Sequence, residues 1–493
     1  MSSVVLIALL VSIVIYMIIG ITLSKTTREL GDMIPLVFGK QASVNSTGEF
    51  SASTVAATIS LATVIVAYFE LVPAFGIWLM WTVLTTSLGF ILLWFLAPRI
   101  WSKMMEYDHR PTLHEFLGTE FHSPVVAMVG AICTSIGFLL IFAVELSVGS
   151  RFLSALIPEI PEWLTVICLS LTGFAYTSLG GFRAVIRTDI LQMRFIWLML
   201  VALIIFFVVT ICQSHNPLLL LKKIPPDIYN FSYREGLIAF IAGVFVMNIP
   251  THITNMSIWQ RISAAQKPAF VVKGIFRSAL GSAASWGLLV ILACGAMMFV
   301  APQKGENLLN VLLIFMSKSL LGQILVFCVV LGLLGAMLST ASTQLIVVSH
   351  TLYEDVFSKL RKSKLSERLN VKKELLYSRI LLISTAILAV GIVEILKYSG
   401  FSIADLVFAI YGGQLVLFQS IIIALYGNRE KLRPLANTAN IAIIAGFVTG
   451  WGSAILGNFL NVENMVFLAP VMSIGTSFVI FSVSKLIQNF SKK

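Results

Sequence analysis

Charge is scarce in this sequence. Only 12% of its 493 residues are Asp, Glu, Lys or Arg, while 58% are hydrophobic. A soluble domain carries about 25% charge, so a soluble fold of ordinary composition is excluded. Cysteine is also sparse. Cys133, Cys168, Cys212, Cys294 and Cys328 all fall inside apolar runs, which rules out a disulfide framework between exterior loops. There is no CxxC pair. Of six histidines only His252 and His350 lie in or near apolar runs, and they share no spacing. Neither a His-rich cluster nor a paired-carboxylate constellation stands in one plane of the spans, so the chain is read as no enzyme.

What the chain has instead is apolar length. Runs of about 20 residues recur throughout, each long enough to cross a hydrocarbon core of roughly 30 Å as a helix. The reading is an all-α polytopic membrane protein with about thirteen transmembrane helices, at 3–23, 51–73, 77–97, 123–150, 163–179, 189–212, 236–257, 275–301, 321–350, 376–396, 402–425, 438–457 and 465–487. The first run has no basic segment before it and no small-residue cleavage site, so it is expected to be retained. The net charge of +11 gathers on alternate loops rather than on one face, so no nucleic acid is expected. By the positive-inside rule the N-terminus lies outside and the C-terminus in the cytoplasm. The expected location is the plasma membrane, the inner membrane in a bacterium. The basic block at 359–379 reads as an anchor against anionic lipid.

Two spans carry interruptions. "SASTVAATISLATVIVAYFELVPAFG" is crowded with hydroxyls, and "FVMNIPTHITNMSIWQR" places Pro250 and several amides at the end of an apolar run. Proline lacks an N–H and clashes with the preceding turn. Unpaired backbone at membrane depth survives only buried in protein or lining a wet cavity. One interrupted span opens spans 2–6, the other opens spans 7–11. Five is odd, so the two blocks enter the membrane in opposite directions, as in the inverted repeats of secondary transporters. The expected division is an extra N-terminal helix and loop (1–45), a first repeat (46–213), a second repeat (214–430) and two additional helices (431–493).

The ninth span holds "LGLLGAMLSTASTQLIVV". Ala336, Ser339, Thr340 and Thr343 share one helical face, with Ser342 beside it. Such a stripe either binds a hard cation through oxygen or lets helices approach closely. Carbonyls freed by the break in the second span would complete a cation site. Asp189, in "LGGFRAVIRTDILQ", opens the sixth span. It is either a functional carboxylate or a lip residue paired with Arg187.

These segments resemble the sodium:solute symporter family. "GGFRAVIRTDILQ", "AMLSTASTQL", "HTLYEDVF", "NMSIWQRISAAQ" and "VAATIS" look like that family's core-helix segments over roughly 45–430. The resemblance implies a LeuT-type 5+5 inverted repeat and Na+ as the coupling ion. It implies a main sodium site formed by carbonyls of Ala56, Ile59 and Ala336 with the hydroxyls of Ser339 and Thr340. Some members hold a second sodium, whose mapped ligands here are Asp189, Ser339, Ser342 and Thr343. Arg187 departs from the family's usual Trp. Asn255 and Gln414 fall near the sugar-binding positions of one branch, but Ser257 replaces its aromatic gate, which argues against a sugar. Tyr411, Thr63 and Trp81 join them as substrate-site candidates.

The expected function is sodium-coupled symport of a small polar organic solute (amino acid, carboxylate, sugar or vitamin) by alternating access, from a monomeric transport unit in the lipid bilayer. The alternatives are a transporter-like sensor with little flux, a proton-coupled symporter, and a passive channel.

Overall fold

A computed structural model describes residues 1–35, 42–302, 306–362, 371–398 and 402–490, so the expected basic block at 359–379 lies partly outside the described residues. The described chain is built of helices joined by turns and short loops, with one isolated bridge between Val44 and Ala265. The principal helices are α1 (Ser2–Ser24), α2 (Thr47–Thr58), α3 (a π-helical turn Leu61–Val66 running into Ala67–Phe75), α4 (Met80–Met104), α5 (Pro124–Leu156) and α6 (Glu162–Gln213). Then follow α7 (Leu237–Thr254), α8 (Met256–Ala264), α9 (Pro268–Ala296), α10 (Leu320–Thr351), α11 (Val371–Tyr398), α12 (Ile403–Gln414), α13 (Phe418–Tyr426), α14 (Ala436–Phe459) and α15 (Ala469–Phe490).

Eleven of the described helical stretches are long and apolar enough to cross a bilayer. Two of them, Leu61–Met104 and Glu162–Gln213, each cover two of the spans expected from sequence. Each contains a turn at a glycine with positive φ, Gly76 at +51° and Gly181 at +59°. A Cβ at these positions would lie 2.3 Å from the Ile228 carbonyl and 2.4 Å from the Met33 carbonyl. Only glycine combines this backbone with so close an approach.

Both expected interruptions are present. Ser46 caps α2 by accepting from the Glu49 N–H, and the chain leaves the helix at Ile59 (φ −93°, ψ 81°). Ser60 restarts it, accepting from the Thr63 N–H at 2.8 Å. In the second interrupted span Pro250 stays inside α7, and the break comes later, at Asn255 (φ −77°, ψ 109°). Proline removes one helical N–H but leaves the helix able to continue. The restart is set by Asn255, whose side-chain oxygen accepts from the Ser257 and Ile258 N–H groups.

Helix α10 is the central element and is buried along most of its length. It packs against α6, α5, α1, α11 and α2. Lipid gives apolar helices little reason to associate, so small side chains and hydrogen bonds must hold such contacts. The run Ala336–Thr343, rich in Ala, Ser and Thr, is suited to this. Helices α14 and α15 pair with each other and lie on α12.

Candidate functional site

The first break is anchored from another helix. Glu145, fully buried in α5, meets the start of α3. Its carboxylate accepts from the Leu61 and Ala62 N–H groups, both at 3.2 Å, and from the Ser60 hydroxyl. The first N–H groups of a helix have no partner within it. An anion is favoured at that end by the helix dipole as well.

Just before the break, the stripe on α10 closes on α2. The Ser339 hydroxyl lies 2.8 Å from the Ala56 carbonyl and 2.9 Å from the Ala336 carbonyl. Beside it the buried Thr340 hydroxyl has no hydrogen-bond partner. Ile59 is the first residue past the end of α2, where the chain leaves the helix. The expected main-site residues Ala56, Ile59, Ala336, Ser339 and Thr340 thus occur at one helix break, with carbonyl and hydroxyl oxygens and one orphaned oxygen. Hard cations take such donors, so the set fits sodium.

Asp189 is fully buried and pairs with Arg261 of α8, Oδ2 to Nη2 at 2.9 Å. The same guanidinium donates to the Thr343 hydroxyl at 3.1 Å, the Ser53 hydroxyl at 3.2 Å and the Ser257 carbonyl at 3.2 Å. Pairing with Arg187, one of the two readings the sequence left open for Asp189, is not what the structure has. Arg187 is half exposed and lies 3.6 Å from Glu49, because the helix turns its side chain away from Asp189. Ser342 donates to the Ser339 carbonyl at 3.4 Å.

Glu49 takes two hydrogen bonds from Arg183, at 2.6 and 2.7 Å. Burial works to raise the Glu49 carboxyl, but Arg183, the Asn45 N–H and Arg187 outweigh it and hold the group below its ordinary range. At the same end Asp355 accepts from Thr112 at 2.7 Å and lies 3.4 Å from His114. Sequence reasoning named none of these partners.

Between the two breaks lies a cavity of about 90 Å³. Ala57, Thr58 and Thr63 border it from the first interrupted span, Thr251 and Asn255 from the second, and Tyr411 from α12. Aromatic rings close its other sides, with Tyr68 and Trp286 edge to face at 5.9 Å. Of the expected substrate residues, Asn255, Tyr411 and Thr63 line this cavity. Gln414 and Trp81 do not. Gln414 is buried against Gly137 of α5. Trp81 donates to the Ile241 carbonyl at 3.0 Å and stacks on Phe245. Asn255 caps α8, bonding both N–H groups and the Ser257 hydroxyl at 2.6 Å.

A model of the sodium:solute symporter family matches residues 42–433. The chain belongs to the sodium:solute symporter family. Membership places it among transporters rather than enzymes. The high-affinity proline transporter PutP of Bacillus subtilis (strain 168) is 26% identical over 315 residues, 61% of this chain and 62% of that protein. The match therefore spans less than two thirds of the relative's length. Among solved structures, a Na+-coupled sialic acid symporter in a substrate-bound, outward-open state superposes with a TM-score of 0.72 at 14% identity, covering 95% of this chain and 97% of that one. Mhp1, a nucleobase-cation-symport-1 family transporter in a closed conformation with bromovinylhydantoin bound, gives 0.53 at 11% identity, covering 92% and 96%. These likenesses concern the fold, which is the LeuT-type helical fold expected from the family resemblance.

Glu145 and Arg261 hold the two helix breaks in place, and sequence reasoning left both without a role. A signal existed for the first. Glu145 is the one acidic residue in the 33-residue α5, and an ionisable residue inside a span is a functional candidate by default.

Proposed function

We propose that this member of the sodium:solute symporter family carries a small polar organic solute into the cell, driven by sodium and working by alternating access. The observation that carries the reading is the meeting of the Ser339 hydroxyl with the Ala56 and Ala336 carbonyls, beside the partnerless Thr340 hydroxyl, at the first helix break. Sodium would be held there by carbonyls of Ala56, Ile59 and Ala336 and hydroxyls of Ser339 and Thr340. Its binding would replace the Ser339 hydrogen bonds and join α2 to α10, which favours one arrangement of the two. A ligand shifts such an equilibrium only by its differential affinity for the two states.

The second set, Asp189, Ser339, Ser342 and Thr343, is approached by the Arg261 guanidinium in this arrangement. A second sodium there requires a state in which Arg261 withdraws, so one sodium per cycle is the reading for this state. The solute occupies the cavity between the breaks, where Thr63, Asn255 and Tyr411 offer polar contacts. The cavity of about 90 Å³ has room for several waters at roughly 10–15 Å³ each, which suits a small solute. The unit is monomeric and sits in the plasma membrane, the inner membrane in a bacterium, with the N-terminus outside and the C-terminus inside.

The test is uptake into proteoliposomes of a solute first found by thermal-shift screening. An inward sodium gradient should drive accumulation, and replacing sodium by potassium should abolish it. Accumulation driven equally by a proton gradient alone, or flux that only follows the solute gradient, contradicts the reading.

A further inference from the structure

The polar groups around the cavity are of two kinds. Some are occupied by the protein itself. The Tyr68 hydroxyl pairs with that of Thr82 at 2.5 Å. Asn248 donates to the Thr82 carbonyl at 3.2 Å and to the Thr85 hydroxyl at 3.0 Å, tying α7 to α4. The Thr58 and Thr251 hydroxyls donate to carbonyls of their own helices, and Asn255 caps α8. The second kind has no hydrogen-bond partner among the described residues. It comprises the Thr86 hydroxyl of α4, both ring nitrogens of His252 on α7, the Trp286 indole nitrogen of α9 and the Gln344 side-chain oxygen of α10. All four of these residues line the cavity.

Four helices thus bring unpaired polar atoms to one space. Thr86, His252 and Gln344 are only 2%, 5% and 5% exposed, so bulk water does not serve them in this state. A buried polar group without a partner costs stability, and native proteins pair nearly all of them. Exceptions gathered on one cavity mark a place where a ligand completes the bonds. The His252 ring is held by packing rather than by hydrogen bonds. It lies on Phe90 at 3.8 Å. Gly89 makes room for it, since a Cβ there would stand 2.5 Å from the Asn248 carbonyl and 3.1 Å from the ring. The Thr86 backbone approaches the ring outside hydrogen-bond geometry, and it would satisfy one nitrogen at most. A neutral imidazole offers one donor and one acceptor, an indole only donates, an amide oxygen only accepts, and a hydroxyl does both. Gln344 also lies one turn beyond Thr340 on α10, which puts a solute bonded to it beside the candidate sodium oxygens.

We infer that His252, with Thr86, Trp286 and Gln344, forms the specificity-determining wall of the solute site, and that the solute presents to it both a hydrogen-bond donor and an acceptor. The inference rests on the cavity reading given under Proposed function.

The experiment is thermal unfolding of the purified full chain in sodium buffer with proline, alanine, acetamide and nicotinamide, which carry both kinds of group. Acetate and glycine betaine, which carry no donor, are set against them. A ligand that binds the folded state raises the midpoint by mass action. At least one of the first four should raise it, and neither of the last two should. His252→Phe and Gln344→Leu should each weaken that response roughly tenfold or more in apparent affinity. Without solute their midpoints should be unchanged or higher, because an apolar group replaces an unpaired polar one. His252→Gln, which keeps a donor and an acceptor, should retain more of the response than His252→Phe. Gln414→Leu removes an equally unpaired amide away from the cavity and should leave the response intact. Silence from all four donors, or a response from acetate or glycine betaine as strong as theirs, overturns the inference. So does a wild-type response in both His252→Phe and Gln344→Leu. If one of these variants fails to fold, Thr86→Val takes its place. Variants that respond as the wild type does, in a protein that sodium stabilises, would remove the wall and leave sodium coupling standing. Variants that lose the response in a protein indifferent to sodium would do the reverse.

Discussion

The two half-helices that follow the breaks are held in opposite ways. Helix α8 carries its own anchor. Arg261 reaches Asp189 of α6, Ser53 of α2 and Thr343 of α10, and its charge is matched by a carboxylate. Helix α3 is held from outside, by the buried carboxyl group of Glu145 of α5, which meets only neutral partners. The lesson is that the same backbone problem, orphaned N–H groups at membrane depth, is met in one region by an ion pair between helices and in the other by a single acidic side chain set against neutral groups. The ion pair suits rigid connection between helices. The lone acid holds the break beside the candidate sodium oxygens.

The comparison is broken most severely at the ion pair. Arg261→Met should strand a buried carboxylate and destabilise the fold by about 3–5 kcal/mol, read as a lowered unfolding midpoint in detergent. Adding Asp189→Asn should restore most of the loss, since replacing both partners leaves no bare charge. A double variant as unstable as the single one would mean that Arg261 acts through its hydroxyl and carbonyl contacts alone.

Glu145→Gln comes next. It keeps the size of the side chain but offers an N–H₂ toward N–H donors, and each buried donor left without an acceptor costs about 1–3 kcal/mol. The rescue expected from Asp189→Asn has no counterpart here, since no cation is among the described partners of Glu145, so the lowered unfolding midpoint should stand.

Asn255→Ala should cost about 1 kcal/mol as a lost helix cap and raise solute half-saturation several-fold, because Asn255 also lines the cavity. Asn255→Ser, which keeps a capping oxygen, should recover stability but not solute affinity. Recovery of both would reduce Asn255 to a cap.

The smallest effect is expected at Gln414. Its amide is buried and neither amide atom has a partner, so Gln414→Leu should be neutral or mildly stabilising, with solute affinity unchanged. A several-fold loss of affinity would return it to the substrate site.

These residues also mark how far the sequence could be read. The broken spans were legible because the hydroxyls around Ser60 and the amide of Asn255 interrupt apolar runs locally, although Pro250, the breaker by residue type, stays inside α7. The stripe of Ala336, Ser339 and Thr340 was legible because helical periodicity puts spacings of three and four on one face. The partner of Asp189 was not. Arg187 lies two residues away along the chain but on another face, while Arg261 arrives only when α8 packs beside α6. Gln414 has the chemistry of a binding residue, but the rotation of α12 turns it toward α5. Glu145 stood out as a lone acid, yet its target lies more than eighty residues earlier, and no local pattern joins α5 to the start of α3.

Sodium coupling through the oxygens of α2 and α10 is the central claim, and sodium-dependent stability tests it without knowledge of the solute. Thermal unfolding of the wild type and of the Ser339→Ala, Thr340→Ala double variant would be compared in sodium and in potassium at equal ionic strength. Sodium should raise the wild-type midpoint in a saturable way, and the folded double variant should show no difference between the two ions. A wild-type protein indifferent to sodium, or a double variant stabilised by sodium as strongly as the wild type, would contradict the account.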